Sequence, residues 1–170
     1  MTSHPIFPLA IENSSAKLIL TPCPGTKEAT IEASLKDLKR SGVSAVITLM
    51  ETEELKKLSL EHIGKLAKSI GLSWFHLPIE DDSQPDLAFH ESWESARIAI
   101  HRLLENEKSI AIHCKGGSGR TGIVAAKILL ERGEKLEKVL PKIKKIRPNA
   151  FSLPLQVEYI ESIQQALIRE

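Results

Sequence analysis

The densest group of chemically capable residues occupies ten consecutive positions: His113, Cys114, Lys115, Gly116, Gly117, Ser118, Gly119, Arg120, Thr121 and Gly122. A thiol is a useful nucleophile only as the thiolate, and helix N-termini and nearby cations lower its pKa from about 8.5 to about 3.5–7.5. Cys114 has Arg120 nearby and a helix expected from residue 121. The planar guanidinium of Arg120 matches two oxygens of a phosphate bidentately. The stretch Lys115, Gly116, Gly117, Ser118 and Gly119 lets successive backbone N–H groups turn inward as an anion cradle, and the helix N-terminus adds about half a positive charge. Thr121 can donate its hydroxyl to the sulfur and stabilise it as a leaving group. The chemistry these types and spacings support is attack by sulfur on a phosphate ester, with Lys115 to Arg120 as the substrate-binding loop.

Other motifs overlay the same residues less well. Gly117-x-Gly119-x-x-Gly122 fits a dinucleotide fingerprint, but the required acidic residue about 20 positions on should end a second strand. Glu137 stands at that distance inside a Lys-rich helical segment. The nucleotide P-loop pattern fails twice, at Cys114 and at Arg120. A rhodanese-like sulfur transferase also uses a loop cysteine, yet Arg120 and Thr121 after the glycines favour phosphate. A lone cysteine at a strand end is usually a small buried hydrophobe. Here that reading leaves the arginine, the glycines and the threonine unexplained.

The elements that must position this loop can be read from periodicity. KLIL (17–20), VSAVITL (43–49), SWFHLPI (73–79) and SIAIH (109–113) have strand length and β-branched or apolar content. Between them, residues 30–41 and 59–70 carry apolar residues three and four apart, with Gly42 and Gly71 placed to end the helices. Asp86 is placed to cap a long helix with the stripe Phe89, Trp93, Ala96, Ile100 and Leu103. Residues 121–132, 134–146 and 155–168 read as three closing helices. This alternation predicts an α/β fold with a mostly parallel central sheet of about four to five strands flanked by helices. Ligands in such sheets bind at the carboxyl ends of strands, so the loops after Leu49, Ile79 and His113 are where chemistry is expected. Residues 1–16, rich in Pro and Ser, are expected to form an extended segment wrapping the surface.

At 170 residues the expectation is one domain spanning 1–170, large enough to fold without disulfide or metal staples. Lys plus Arg is 23 and Asp plus Glu is 22, which argues against a dedicated nucleic-acid-binding protein. Two separated cysteines exclude a disulfide scaffold and a four-ligand zinc module, and the histidines show no metal-ligand spacing. No cofactor is implied. No apolar run is long enough for a spanning helix, and the N-terminus lacks signal-peptide features, so a cytoplasmic protein is expected. The segment 132–147 holds seven basic residues and reads as a solvated helix face. Cys23, between two prolines, reads as packing, with nothing to place it near Cys114.

His113-Cys114, five residues, then Arg120-Thr121-Gly122 resembles the signature of the cysteine-based protein phosphatases. Within that superfamily the chain is similar to the small dual-specificity branch, and most to the cyclin-dependent kinase-associated group. Supporting stretches are Pro24-Gly25, His76-Leu77-Pro78-Ile79-Glu80-Asp81, Pro85-Asp86 and Gln156-Val157-Glu158-Tyr159. The resemblance implies metal-independent, two-step hydrolysis of a phosphate ester through a cysteinyl-phosphate. A leaving alkoxide or phenolate needs a proton, and the family's Pro-x-x-Asp pattern selects Asp81 over Asp82 as the acid. His113 is expected to position the loop. The resemblance implies that Gln156 positions the water of the second step; a helix-surface glutamine is the alternative. The expected partner is a phosphorylated protein. Lys115 in the cradle keeps a phosphoinositide or other small phosphate ester as a second substrate class. A catalytically silent phospho-binding module is the reading from another class.

Overall fold

The computed structural model describes residues 3–169. Five strands form one sheet in the order β1 (Phe7–Ala10), β2 (Lys17–Thr21), β5 (Ser109–His113), β3 (Val43–Thr48), β4 (Ser73–His76). Only the β1–β2 pair is antiparallel. The expected mostly parallel α/β sheet is therefore present. The three inner strands, β2, β5 and β3, are buried along nearly their whole length, as strands covered on both faces must be.

Side chains alternate across the sheet with period two. Leu18, Leu20, Ala45, Ile47, Ile110 and Ile112 face one core layer, which also holds residues of α4 (Leu87–Glu105), α5 (Gly119–Glu131), α6 (Leu136–Ile146) and α7 (Pro154–Arg169). Ile19, Val46 and Ala111 face the other, beneath α1 (Ile31–Arg40) and α3 (Ile63–Ile70). Helix α5 is apolar nearly all round and buried along most of its length, because it lies between the sheet and the outer helices. The expected stops hold: Asp86 accepts from Phe89 N at 2.8 Å to cap α4, and Gly71 ends α3 in the left-handed region.

Three elements differ from the sequence reading. Residues 7–10 form an edge strand, with Leu9 and Ile11 buried, because the register Phe7↔Leu20 to Ala10↔Lys17 turns their alternate side chains into the core. The helix expected over 59–70 begins at Ile63, since Ser59 takes a positive φ of 59°. A separate short helix, α2 (Thr52–Lys57), follows β3.

The register matters for function. Thr21, His113 and Thr48 are partners across β2, β5 and β3, so these strands end at one level. The segments that follow, together with the turn after β4, converge on a single edge of the molecule.

Candidate active site

The loop after β5 is closed by bonds that pull its carbonyls outward. Cys23 N donates to Lys115 O at 3.0 Å. Arg147, just past the end of α6, donates from Nη2 to Gly116 O at 2.8 Å and from Nε to Gly117 O and Ser118 Oγ, both at 3.1 Å. Its guanidinium lies over the Phe7 ring, 4.1 Å from the centroid. Gly117 has φ +82°, and a Cβ there would come within 2.6–2.7 Å of the Thr21–Pro22 backbone, so both conformation and space demand glycine.

Inside this frame Cys114 is buried, and its Sγ accepts from Gly117 N and from Thr121 Oγ1, each at 3.2 Å. Both donors stabilise negative charge on sulfur. His113 is fully buried beneath the loop. Its Nδ1 lies 3.1 Å from Cys114 O and its Nε2 2.8 Å from Thr48 Oγ1, which also accepts from Trp74 Nε1 at 2.8 Å. A proton on Nδ1 satisfies every contact: Trp74 donates to Thr48, Thr48 to Nε2, and Nδ1 to the Cys114 carbonyl. Burial pushes the His113 pKa down to about 4, so the ring stays neutral in this role.

Arg120 is 2% exposed. Nη1 and Nη2 meet Glu54 Oε1 and Oε2 at 2.6 and 3.0 Å, and Nη1 also donates to Ile79 O at 2.9 Å. Burial opposes its charge, but the hydrogen bond to Glu54 and the charges of Cys114, Glu54 and Asp81 outweigh it and raise the Arg120 pKa. Burial likewise opposes ionisation of Glu54, and the Arg120 bond overcomes it and lowers the pKa. Among the described residues Nε has no hydrogen-bond partner, and Asp81 Oδ1 lies 3.5 Å from it. Of five guanidinium donors, Nε–H and one Nη2–H are left, on one edge. The sequence reading gave the whole fork to phosphate; one edge is occupied by Glu54 and the other is free.

A cavity of about 510 Å³ opens over the loop, and Asp81, Asp82, Lys115, Ser118 and Gln156 line it. Asp81 is 63% exposed and accepts from Asp82 N at 3.1 Å. Gln156 is buried at the start of α7, accepting from Leu153 N at 3.3 Å, so it is not the helix-surface glutamine of the alternative reading. The structure thus brings Cys114, Lys115, Gly116, Ser118, Gly119, Arg120, Asp81 and Gln156 to one cavity, with His113, Gly117 and Thr121 supporting it from beneath. Among the described residues no His, Cys, Asp and Glu cluster could hold a metal ion.

Two residues escaped the sequence reading, and a third sits closer to the loop than it implied. Glu54 lies in α2, where its Oε1 also accepts from Glu51 N at 3.0 Å; the Glu-x-x-Glu spacing directly after a strand was the available signal. Arg147 was assigned to a solvated basic face, but it binds the loop, while Lys142 and Lys144 bond Glu134 Oε1 and Ala150 O. Cys23 packs in the core as expected, but its backbone adjoins the cradle. Burial, then the charges of Cys114 and Glu54, pushes its thiol up to about 12, which makes it inert.

A family model described as "Polymorphic toxin system, DSP-PTPase phosphatase" matches residues 23–134. The rat protein named cyclin-dependent kinase inhibitor 3 is 28% identical over 168 residues, covering 95% of this chain and 78% of the rat protein. Bovine protein tyrosine phosphatase type IVA 3 is 27% identical over 155 residues, covering 91% and 82%. The solved structure of kinase associated phosphatase, its catalytic-site cysteine replaced by serine, superposes with a TM-score of 0.86 at 25% identity, covering 100% of this chain and 99% of that one.

Proposed function

This chain belongs to the DSP-PTPase phosphatases, and on that premise we propose that it removes phosphate from phosphorylated proteins through Cys114, Arg120 and Asp81. The observation that carries the assignment of roles is the pairing of two donors on Cys114 Sγ with an unspent donor edge on Arg120. Nucleophile and anion clamp are prepared on the same cavity.

In the first step Cys114 thiolate attacks phosphorus. The S–P bond forms as the ester P–O bond breaks, and Asp81 gives its proton to the leaving oxygen. The free edge of Arg120 and the loop amides hold the equatorial oxygens, where charge spreads in the transition state. In the second step a water positioned by Gln156 attacks phosphorus and returns a proton to Asp81. The S–P bond breaks, sulfur leaves as thiolate, and Thr121 Oγ1 and Gly117 N receive its charge.

The cytoplasm suits this chemistry, because a reducing compartment keeps Cys114 a thiol. Lys27 lines the same cavity as Lys115, which favours a substrate with a second anionic group beside the ester, a phosphoinositide headgroup included.

Turnover of p-nitrophenyl phosphate tests the reaction, and it should be blocked by vanadate and insensitive to EDTA. Cys114→Ser should abolish turnover and retain ester binding, since the serine hydroxyl stays protonated near neutral pH. A serine variant with near-normal rate, or a native protein that binds esters without turning them over, overturns the covalent mechanism. Phosphotyrosine and phosphothreonine peptides run beside phosphoinositides decide the substrate class.

A further inference from the structure

A second cavity, of about 550 Å³, lies between α4, α5 and α7 and shares no lining residue with the first. Its size is within the range of small-molecule sites. Two of its polar residues are more than nine-tenths buried: Lys127 is 7% exposed and Tyr159 is 7% exposed. Among the described residues Tyr159 Oη has no hydrogen-bond partner. Lys127 Nζ has one carboxylate contact, Glu131 Oε2 at 3.4 Å, and lies 5.4 and 6.0 Å from the ring centroids of Trp93 and Tyr159. An ammonium carries three donors, so Lys127 and Tyr159 together hold more donors than the protein uses.

The carboxylates on this cavity do not supply the missing acceptor. Glu131 is engaged by Trp93 Nε1, Arg97 Nε, His101 Nε2 and Lys127 Nζ. Glu94 is exposed. An unmatched buried hydroxyl is costly, and an under-compensated buried charge is more so. Burial lowers the Lys127 pKa, with Glu131 only partly restoring it. The adjoining wall is apolar: Ile163, Ala166 and Leu167 of α7. The cavity therefore offers surplus donors at one part and a greasy surface beside them.

We propose that this cavity is a second ligand site, taking a small organic carboxylate with an apolar tail. Tyr159 Oη is shut off from solvent in the unliganded protein, so binding tilts the ring toward the cavity; the carboxylate then accepts from Tyr159 Oη and Lys127 Nζ, and the tail packs on Ile163, Ala166 and Leu167. Water on Lys127 Nζ gains nothing from the apolar wall, so ordered water alone is the competing occupant.

Octanoate is the probe, titrated into the whole chain with vanadate present to fill the phosphate cradle. Tyr159 is the only tyrosine, so its ring resonances report occupancy directly. The proposal expects saturable one-to-one binding that moves the Tyr159 ring signals. It also expects about fivefold weaker binding in Tyr159→Phe, the worth of one hydrogen bond, and about tenfold weaker binding of octanol, which lacks the charge. Tyr159→Phe removes only the hydroxyl, and the wild-type ring signals keep the test decisive if that variant folds poorly. No saturable binding, binding that vanadate abolishes, unmoved Tyr159 signals, unchanged affinity in a folded Tyr159→Phe, or octanol binding as tightly as octanoate each overturns it.

Discussion

Two charged hubs are buried in this protein, and they are built to opposite rules. At the cradle, Arg120 is held on one edge by Glu54 and keeps its Nε edge unpartnered, with only Asp81 nearby. On the far part of α5, Glu131 is contacted by four donors, from Trp93, Arg97, His101 and Lys127. Breaking a buried pair costs several kcal/mol because it strands a charge, so a saturated hub is what stability favours. Withholding two donors of Arg120 makes sense only if an incoming anion takes them. On the proposed function, the difference separates a group held in reserve for substrate from one committed to the fold, although both are buried ion-pair centres.

Variants that lose rate without losing stability at the first hub, and the reverse at the second, sharpen this contrast. The largest effect is expected at Asp81. General acid catalysis is worth about 10²–10⁴-fold, so Asp81→Asn should lower kcat/KM by that order with phosphoserine or phosphothreonine peptides. The loss should be much smaller with p-nitrophenyl phosphate, whose leaving oxygen departs almost unaided. A large loss at Asp82→Asn and none at Asp81→Asn moves the acid by one residue.

Arg120→Lys comes next. Lysine keeps the charge but lacks an edge to present after meeting Glu54. Loss of one transition-state donor costs about 10²–10³-fold in kcat, and steady-state kinetics should show kcat falling along with kcat/KM. A change confined to KM would reduce Arg120 to a binding group and erase the contrast with Glu131.

The prediction for Glu131 concerns stability. Glu131→Gln should leave kcat/KM near wild type and destabilise by on the order of 3 kcal/mol, since Lys127 loses its carboxylate. For a chain of this size that lowers Tm by roughly 9 °C. Burial opposes the Glu131 charge, but His101, Lys127, Trp93 and Arg97 hold its pKa down to about 2, against an unperturbed 4.5. Its stabilisation is therefore full above about pH 4.5 and is lost as pH falls from there toward about 2. Thermal melts of wild type and Glu131→Gln should converge over that window. A variant that melts like wild type at pH 7 would mean the saturated hub carries no stability. The smallest effect is expected at Asp82→Asn, an exposed neighbour whose loss should leave both rate and Tm nearly unchanged.

Much of the cradle was legible because it is local. Cys114, Arg120 and Thr121 lie within eight residues, and the strand before them and the helix after them are both strongly patterned. The proposed nucleophile, the loop amides and the proposed leaving-group donor could be named from spacing for that reason. Asp81 needed the resemblance, because an exposed carboxylate on a turn has no periodic signature. Glu54 and Arg147 were not legible. Glu54 lies 66 positions from Arg120, and Arg147 lies 30 from its loop partner Gly117, and they meet these partners only when α2 and the end of α6 reach the same edge of the sheet.

By itself the amino-acid sequence determined the alternation of strands and helices, the parallel sheet that follows from it, and the contiguous glycine-rich loop proposed to grip phosphate. Those features depend on period, turn chemistry and neighbours a few residues away. Only the tertiary structure decided which edge of Arg120 remains free, which carbonyls Arg147 draws outward, and where Lys127 and Tyr159 are buried without enough acceptors. A side chain's unused hydrogen-bonding capacity is what remains after every neighbour has taken its share, and those neighbours come from distant parts of the chain.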